Sequence, residues 1–324
     1  MKRSYMLIIG RVVILIGLLS ATTACGAKTT PQANDPFHGT ITISGAFALY
    51  PMMQRWAEEF HKAHPGVEFD ISAGGAGKGM TDALSGAVDI GMVSRDITTE
   101  EEAKGAYGIA VTKDAVFPTV NSTNPVLQDL MSKGIQQKTF IGIFITGEIT
   151  TWGQVVGRTD ITDEIHVYTR SDSCGASEVW AKYLGNKKQE DLLGIGVSGD
   201  PGLVGAVAKD PLGIGYNNLN YAFDITTGKP VTGIAVVPVD INENGKADAE
   251  EVLLTNTEAI AAVSSGNYPS PPARLLNLAT NGKPSGLTSA FIEWILTDGQ
   301  KYVGESGYIL MTPEQLEESL NRIR

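Results

Sequence analysis

The sequence predicts an α/β protein made of two lobes, each a mixed sheet flanked by helices. Short apolar runs with strand-like alternation recur along the chain, and runs with apolar residues at i, i+3 and i+4 separate many of them. Strands that alternate with helices are typical of α/β folds. From residue 38 onward the chain holds roughly 285 residues, more than one hydrophobic core usually organises, so we expect two lobes.

The strand predictions rest on alternation and on β-branched residues. In the first run, 39–44, Ile41 and Ile43 lie on one face and threonines on the other. The same criteria predict strands at 67–71, 88–93, 115–120, 142–145, 165–169, 213–216 and 233–240.

The helix predictions rest on apolar residues that recur on one face. Pro51 suits a first helical position, and Met53, Trp56 and Phe60 follow it at helical spacing. Further helices are predicted at 80–85, 177–184, 202–208, 255–263, 284–297, 298–305 and 313–324.

The N-terminus has the pattern of an export signal. A basic start precedes an apolar run, 12–19, and small residues lead to Cys25. The segment before Cys25 resembles a bacterial lipobox, with Thr22 where leucine is usual. We predict a lipoprotein signal peptide at 1–24, a lipid on Cys25, a tether at 25–37 and an extracytoplasmic location, either anchored to the outer face of the cell membrane or periplasmic. An ordinary cleaved signal peptide or a retained anchor is the alternative.

The composition limits the partners. The chain carries a formal net charge of −11, and loss of residues 1–24 would remove Lys2, Arg3 and Arg11 and no acid, giving −11 − 3 = −14. Nucleic acid is therefore excluded as a partner, because its binding needs basic surface. Any anion must be held by local groups. Two cysteines and four histidines give no disulfide framework and no zinc-type spacing.

One strand-turn-helix junction has the chemistry of an anion site. The predicted strand at 165–169 ends in Arg170, a polar turn with Ser173, Cys174 and Gly175 follows, and a helix begins near Ser177. The first turn of a helix offers unpaired N–H groups and the positive end of the helix dipole. A neighbouring guanidinium adds a planar fork of donors. Small oxyanions suit such a junction.

Two earlier loops could converge with that junction. The glycine-rich segment 74–79 fails the Walker A pattern, because Lys78 is followed by Gly79, and it also lacks the dinucleotide spacing. It could form an anion-binding backbone nest or a plain flexible turn. The strand at 88–93 ends in Ser94 and Arg95, a hydroxyl and a cation. In parallel sheets, ligands lie beyond the carboxyl ends of the strands.

Four segments in order resemble the substrate-binding component of phosphate ABC transporters, a two-lobed, type II periplasmic-binding-protein family: 43–51, 74–79, 88–96 and 169–176. The run 213–216 is similar to a strand of the second lobe in that family. The resemblance implies a ligand cleft between lobe I, at 38–113 and 232–324, and lobe II, at 114–231. It also implies a monomer without enzymatic activity or a required cofactor, which delivers phosphate or a similar oxyanion to ABC permease and ATPase subunits.

The predicted ligand-binding residues combine the loop chemistry with the positions that match the family's motifs. They are Ser44, Ala46, Phe47, Ala48, Ala76, Gly77, Ser94, Arg95, Arg170, Ser173, Cys174, Gly175 and Ala176.

Several of these positions depart from the family pattern. Cys174 and Ala176 stand where serine and threonine are usual, Phe47 and Ala48 replace hydroxyl residues, and Ser94 replaces the aspartate of some members. Backbone donors survive these changes, but hydroxyl donors are lost and a thiol is a weak donor. Because serine can donate as well as accept, selectivity for a protonated anion is weaker. Sulfate, molybdate and tungstate therefore stay open beside phosphate.

A separate segment, 240–251, matches the calcium-loop pattern D-x-[DN]-x-[DN]-G-x5-E. A β-run precedes it where a helix is usual, so an Asn-Gly turn with solvated acids is the alternative. The predicted calcium ligands are Asp240, Asn242, Asn244, Lys246 through its carbonyl, Asp248 and Glu251.

Two rival functions use the same residues differently. Cys174 at a helix start could have a lowered pKa, as in an extracytoplasmic thiol enzyme or sensor. The calcium-loop segment alone would suit a calcium-dependent adhesion module. Neither needs oxyanion binding.

Overall fold

The computed structural model describes residues 35–324 and confirms the α/β class. Nine strands are present in this part of the chain: β1 Gly39–Gly45, β2 Val67–Ala73, β3 Ile90–Val93, β4 Ala106–Asn121, β5 His166–Arg170, β6 Ile195–Val197, β7 Gly213–Asn218, β8 Ile234–Val236 and β9 Ala273–Asn281. The predicted signal peptide and Cys25 lie outside the described residues.

The helices of the described region alternate with the strands in the first half and dominate the C-terminal part. They are α1 Tyr50–Ala63, α2 Ala76–Ser85, α3 Thr99–Ala103, α4 Leu127–Lys133, α5 Gln137–Ile141, α6 Trp152–Val156, α7 Gly175–Tyr183, α8 Gly199–Lys209, α9 Leu219–Ala222, α10 Asn256–Ser265, α11 Gly286–Leu296, α12 Lys301–Glu305 and α13 Pro313–Ile323. Among residues 35–324, no helix is long and apolar enough to cross a membrane.

The strands form one mixed sheet in the order β2-β1-β3-β9-β4-β7-β5-β6, with β8 beside β4. β1 pairs in parallel with β2 and β3, and β5 pairs in parallel with β6 and β7. β9 runs antiparallel to β3 and β4. The sheet is therefore mixed, as predicted.

The 16-residue strand β4 belongs to both halves of the sheet. Its first part, Ala106 to Ala115, pairs with β9, whereas Val116 to Val120 pairs with β7. The change of partner marks the junction between the lobes.

Two hydrophobic cores define the lobes. The core of lobe I contains Trp56, Phe60 and Phe291 and is built from β1–β3, the first part of β4, β9 and helices α1, α2 and α11. The core of lobe II contains Phe117 and Trp180 and is built around β5, β7, the second part of β4 and α7.

The cores divide the chain differently from the prediction, which assigned 232–324 to lobe I. Val236, Leu253, Ala259 and Tyr268 lie in the core of lobe II. β8 pairs with the end of β4, and the Tyr268 hydroxyl donates to the Val116 carbonyl at 2.7 Å. Lobe I therefore resumes at β9.

Three local predictions need correction. The run 142–145, predicted as a strand, is a π-helical turn, Gly142–Thr146, because a short apolar run does not distinguish a strand from a buried helical segment. β9 was not predicted, because most of its residues are buried and the sequence shows no alternation. The glycine-rich segment 74–79 is mostly the first turn of α2 rather than a loop.

Candidate anion-binding site

The predicted loops of the two lobes meet. The Gly77 N–H of lobe I donates to the Ser173 carbonyl of lobe II at 3.2 Å. Gly175 packs on the end of β3 so closely that a Cβ there would lie 2.1 Å from the Ser94 carbonyl oxygen. Only glycine permits this approach, which explains the residue at 175 in physical terms.

Four helices begin around this contact. The loop before α1 carries Phe47, whose ring lies against Gly199 at the start of α8. The first turns of α2 and α7 contain Gly77 and Gly175. Each helix start carries positive dipole charge and N–H groups without partners inside the helix, so the region favours an anion even though the chain is acidic overall.

Arg170 lies at the centre as the last residue of β5, and its side chain is only 1% exposed. Its Nε and Nη2 donate to the two Asp172 carboxylate oxygens at 2.8 and 2.5 Å, and its Nη1 donates to Asp200 Oδ2 at 2.6 Å. The guanidinium carbon lies 5.4 Å from the centre of the Phe47 ring. Three of the five N–H groups of the guanidinium are used, and within residues 35–324 the other two donate to no protein group.

The charges around Arg170 are strongly coupled. Burial alone would lower the pKa of Arg170, but Asp200 and Asp172 outweigh it and raise that pKa. Burial would raise the pKa of Asp172, but Arg170 holds it below its usual value. Arg170 and Asp172 therefore stabilise each other's charged forms, and hydrogen bonds to Asp172 and Asp200 fix the guanidinium in position.

The carboxylate of Asp200 continues the network toward the lobe junction. Its Oδ1 accepts from Asn218 Nδ2 at 2.5 Å, and Asn218 Oδ1 accepts from Arg274 Nη2. Arg274 also donates from Nε to the Ser94 carbonyl at 2.9 Å and forms an ion pair with Asp114 at 3.1 Å. Burial raises the pKa of Asp114, although Arg274 opposes this.

The predicted residues of lobe I reach the site to different degrees. Phe47 lies on Arg170, Gly77 contacts Ser173 and Ser94 contacts Gly175, as described above, and Ala76 is the buried first residue of α2. Three further predicted residues have hydrogen-bond partners within lobe I. The Ser44 hydroxyl donates to Asp82 at 2.6 Å, the Ala46 N–H donates to the Met92 carbonyl at 2.9 Å, and the Ala48 carbonyl accepts from Tyr308 at 2.8 Å.

The predicted residues of lobe II, Ser173 to Ala176, form the turn into α7. Cys174 is the N-cap, and its Sγ accepts from the Ser177 N–H at 3.4 Å. Its side chain is buried, and burial raises the pKa of Cys174 to about 11. The thiol is therefore protonated at neutral pH, which is the opposite of what a nucleophile requires.

Arg95, predicted as a ligand, is held by carboxylates. Glu101 of lobe I accepts from both Nη atoms at 2.8 and 2.7 Å, and Glu178 of lobe II lies 3.1 Å from Nε. A second ion pair between the lobes, Lys182 to Asp96 at 3.0 Å, lies beside it. Its role as an anion ligand stays a prediction.

The predicted calcium loop is closed by its own hydrogen bonds. The buried Asp240 accepts from the N–H groups of Asn244 and Gly245, Glu251 accepts from those of Ile241 and Asp248, and Lys246 donates to Asn244. The side-chain amides of Asn242 and Asn244 donate to Asp248 at 2.8 Å. Within residues 35–324, no group of three or more His, Cys, Asp or Glu side chains is arranged to hold a metal ion. Calcium stays a prediction.

The sequence reasoning missed the acidic and amide partners of Arg170. Asp172 stands two residues after Arg170, a signal that could have been used. Asp200, Asn218 and Arg274 carry no local signal, because their role depends on which loops the fold brings together.

The chain is similar in sequence and in fold to proteins that are named for phosphate. A phosphate-binding protein PstS from Bacillus subtilis is 26% identical over 95% of this chain and 95% of its own. A protein from Clostridium perfringens, described as a phosphate ABC transporter substrate-binding protein and solved with bound phosphate, superposes with a TM-score of 0.68 at 25% identity, over 85% of this chain and 100% of its own. An ABC-type phosphate transport receptor from Vibrio cholerae shares the fold, with a TM-score of 0.61 at 21% identity over 84% and 100% of the two chains.

A family model matches most of the chain. The PBP superfamily domain matches residues 30–299, which include most of both lobes and every loop that meets at Arg170. The chain therefore belongs to the PBP superfamily.

Proposed function

We propose that this protein is the solute-binding component of an ABC importer and that its ligand is inorganic phosphate, held between the lobes at Arg170. The observation that carries the proposal is the fixed guanidinium of Arg170, with two N–H groups left over, among the starts of four helices. The Bacillus subtilis and Clostridium perfringens relatives support phosphate as the ligand, since both are named for it.

The carboxylates beside Arg170 favour phosphate over sulfate. Asp172 and Asp200 flank the guanidinium, so one positive charge faces two negative ones. Sulfate carries no proton at neutral pH and could offer these carboxylates only repulsion. Hydrogen phosphate can donate a proton to a carboxylate oxygen, and so converts a repulsive contact into a hydrogen bond. Asp172 and Asp200 thus restore the selectivity for a protonated anion that the serine at position 94 would weaken.

Calorimetry tests the ligand. We expect phosphate to bind with micromolar or tighter affinity and sulfate, molybdate and tungstate to bind at least about a hundredfold more weakly, a difference of about two charge-assisted hydrogen bonds. Arg170→Ala should abolish binding. Tight binding of sulfate or molybdate would show that the ligand is not phosphate. Wild-type affinity in Arg170→Ala would show that the site lies elsewhere.

The rival thiol function is tested by alkylation. The buried, protonated Cys174 should react slowly with iodoacetamide at pH 8 in the folded protein and quickly after unfolding in guanidinium chloride. Fast modification of the folded protein would favour a thiol enzyme or sensor.

We further propose that the protein is a lipid-anchored monomer outside the cytoplasm that docks on permease and ATPase subunits. The sequence pattern before Cys25 supports the anchor. Replacing Cys25 by alanine should abolish incorporation of labelled palmitate. Continued labelling would refute the anchor.

A structural calcium ion at 240–251 is a further part of the proposal, supported by the complete sequence match. Excess chelator should lower the melting temperature, and added calcium should restore it. An unchanged melting temperature under both conditions would remove calcium from the proposal.

A further inference from the structure

Arg274 lies where β4 exchanges one partner strand for another. It is the cross-strand partner of Asp114, the next-to-last β4 residue paired with β9, and two residues later Val116 of β4 pairs with Asn218 of β7. Its side chain is 4% exposed and that of Asp114 is 2% exposed. Arg274 is therefore a buried cation at the junction of the lobes.

The guanidinium of Arg274 contacts an anion-site element of each lobe. Toward lobe I, Nε holds the Ser94 carbonyl at the end of β3, which packs on Gly175. Toward lobe II, Nη2 donates to Asn218, Asn218 donates to Asp200 and Asp200 holds Arg170. The path from Arg274 to Arg170 thus consists of hydrogen bonds between buried groups, and each of these bonds involves an arginine or an aspartate.

Charge balance alone does not explain these contacts. An arginine that only neutralised Asp114 would need no contact with Ser94 or Asn218. Among the described residues, Arg274 Nη1 is buried without a hydrogen-bond partner, which is a cost to the fold. A buried group without a partner calls for a physical explanation, and a role in holding Ser94 and Asn218 together supplies one for Arg274.

We infer that Arg274 is a positioning residue for the anion site. It fixes Ser94 relative to Arg170 by bonding the lobe I strand end directly and the lobe II guanidinium through Asn218 and Asp200. This inference rests on the proposed function for its effect on phosphate affinity, but not for its effect on the position of Arg170.

The test compares three variants. Arg274→Lys keeps the charge opposite Asp114 but lacks the planar fork that reaches Ser94 and Asn218 together. The pair Asp114→Asn with Arg274→Met removes both buried charges at once, so that neither is left unpaired. Lys113→Met is the control, because successive residues of a strand face opposite sides and Lys113 is the neighbour of Asp114.

The first measurement is the Nε–H NMR signal of Arg170 in protein without phosphate, assigned by its loss in Arg170→Lys. We expect it to shift in Arg274→Lys and in the charge-free pair but not in Lys113→Met. An unchanged signal in the first two variants would overturn the inference whether or not the protein binds phosphate.

The second measurement is phosphate affinity. We expect Arg274→Lys and the charge-free pair to bind at least about tenfold more weakly than the wild type, as when one hydrogen bond to a charged group is misplaced, while the pair keeps a melting temperature close to the wild type. Wild-type affinity in the charge-free pair would show that Arg274 only balances Asp114. If the wild type itself binds no phosphate, the proposed function fails, and the Arg170 signal still decides the inference.

Discussion

Arg170 and Arg95 are alike in surroundings and different in what they connect. Each lies at or just beyond the end of a strand, is buried and faces two carboxylates. Both partners of Arg170, Asp172 and Asp200, belong to lobe II. Arg95 is paired with Glu101 of its own lobe and Glu178 of the other. Arg170 is thus fixed before the lobes meet, whereas half of the Arg95 arrangement exists only when they are together.

Arg170 is suited to bind a ligand, whereas Arg95 is suited to report closure of the lobes. A guanidinium held by its own lobe is preorganised, so little further ordering is needed when an anion arrives. An ion pair between lobes must lose water on closing, and this cost offsets much of the attraction. Burial accordingly raises the pKa of Glu178 even though Arg95 lies beside it.

The largest expected effect comes from breaking the Arg170 arrangement. Arg170→Met should lower phosphate affinity by more than about a hundredfold and also lower the free energy of unfolding by about 3–5 kcal/mol, because Asp200 would lose its buried partner. Chemical denaturation and calorimetry measure the two losses. Arg95→Met is the matched variant, and an equal loss of affinity there would remove the distinction between the two arginines.

The contact of Gly175 with Ser94 should come next. Gly175→Ala would place a Cβ 2.1 Å from the Ser94 carbonyl oxygen and hold the lobes apart. We expect phosphate affinity to fall by about tenfold or more, with little change in the melting temperature of the ligand-free protein. Gly205→Ala in α8, where a Cβ meets no atom within 4 Å, is the control. Equal affinities in the two variants would contradict close approach at Gly175.

Glu178→Gln should change affinity by no more than about threefold, because the ion pair with Arg95 gains little after desolvation. Its effect should depend on pH. The folded pKa of Glu178 lies above its unfolded value, so the stability that the neutral carboxyl contributes is present at low pH and is lost as pH rises through the folded pKa. The melting temperature of Glu178→Gln should therefore rise relative to the wild type between pH 4 and pH 7. A relative fall would mean that Arg95 outweighs burial.

The smallest effect is expected at the second pair between the lobes. Lys182 and Asp96 have side chains that are 50% and 80% exposed, and water and salt screen such pairs. Lys182→Met should change phosphate affinity less than about twofold, and 0.5 M NaCl should change it no further. A tenfold loss would show that this pair holds the lobes together.

The sequence predicted the parts of this arrangement that depend on local pattern. Alternation, helical spacing and turn residues predicted the end of β5 at Arg170, the start of α7 and the end of β3 near Ser94. Asp200 and Arg274 could not be predicted, because an ion pair across distant segments depends on the sheet order. The lobe boundary was misplaced for the same reason. The run 233–240 has the pattern of a strand in either lobe, and only its pairing with the end of β4 assigns it to lobe II.

The shared strand β4 also has a consequence for how the protein unfolds. A chain with two cores could melt in two steps, one for each lobe. Here, the loss of either core would leave half of β4 without its hydrogen-bonded neighbour. Because the other half of β4 belongs to the other lobe, that lobe would be destabilised as well. Residues 36–324 form one compact unit, and we expect a single calorimetric transition in which amides at both ends of β4 exchange with solvent only on global unfolding.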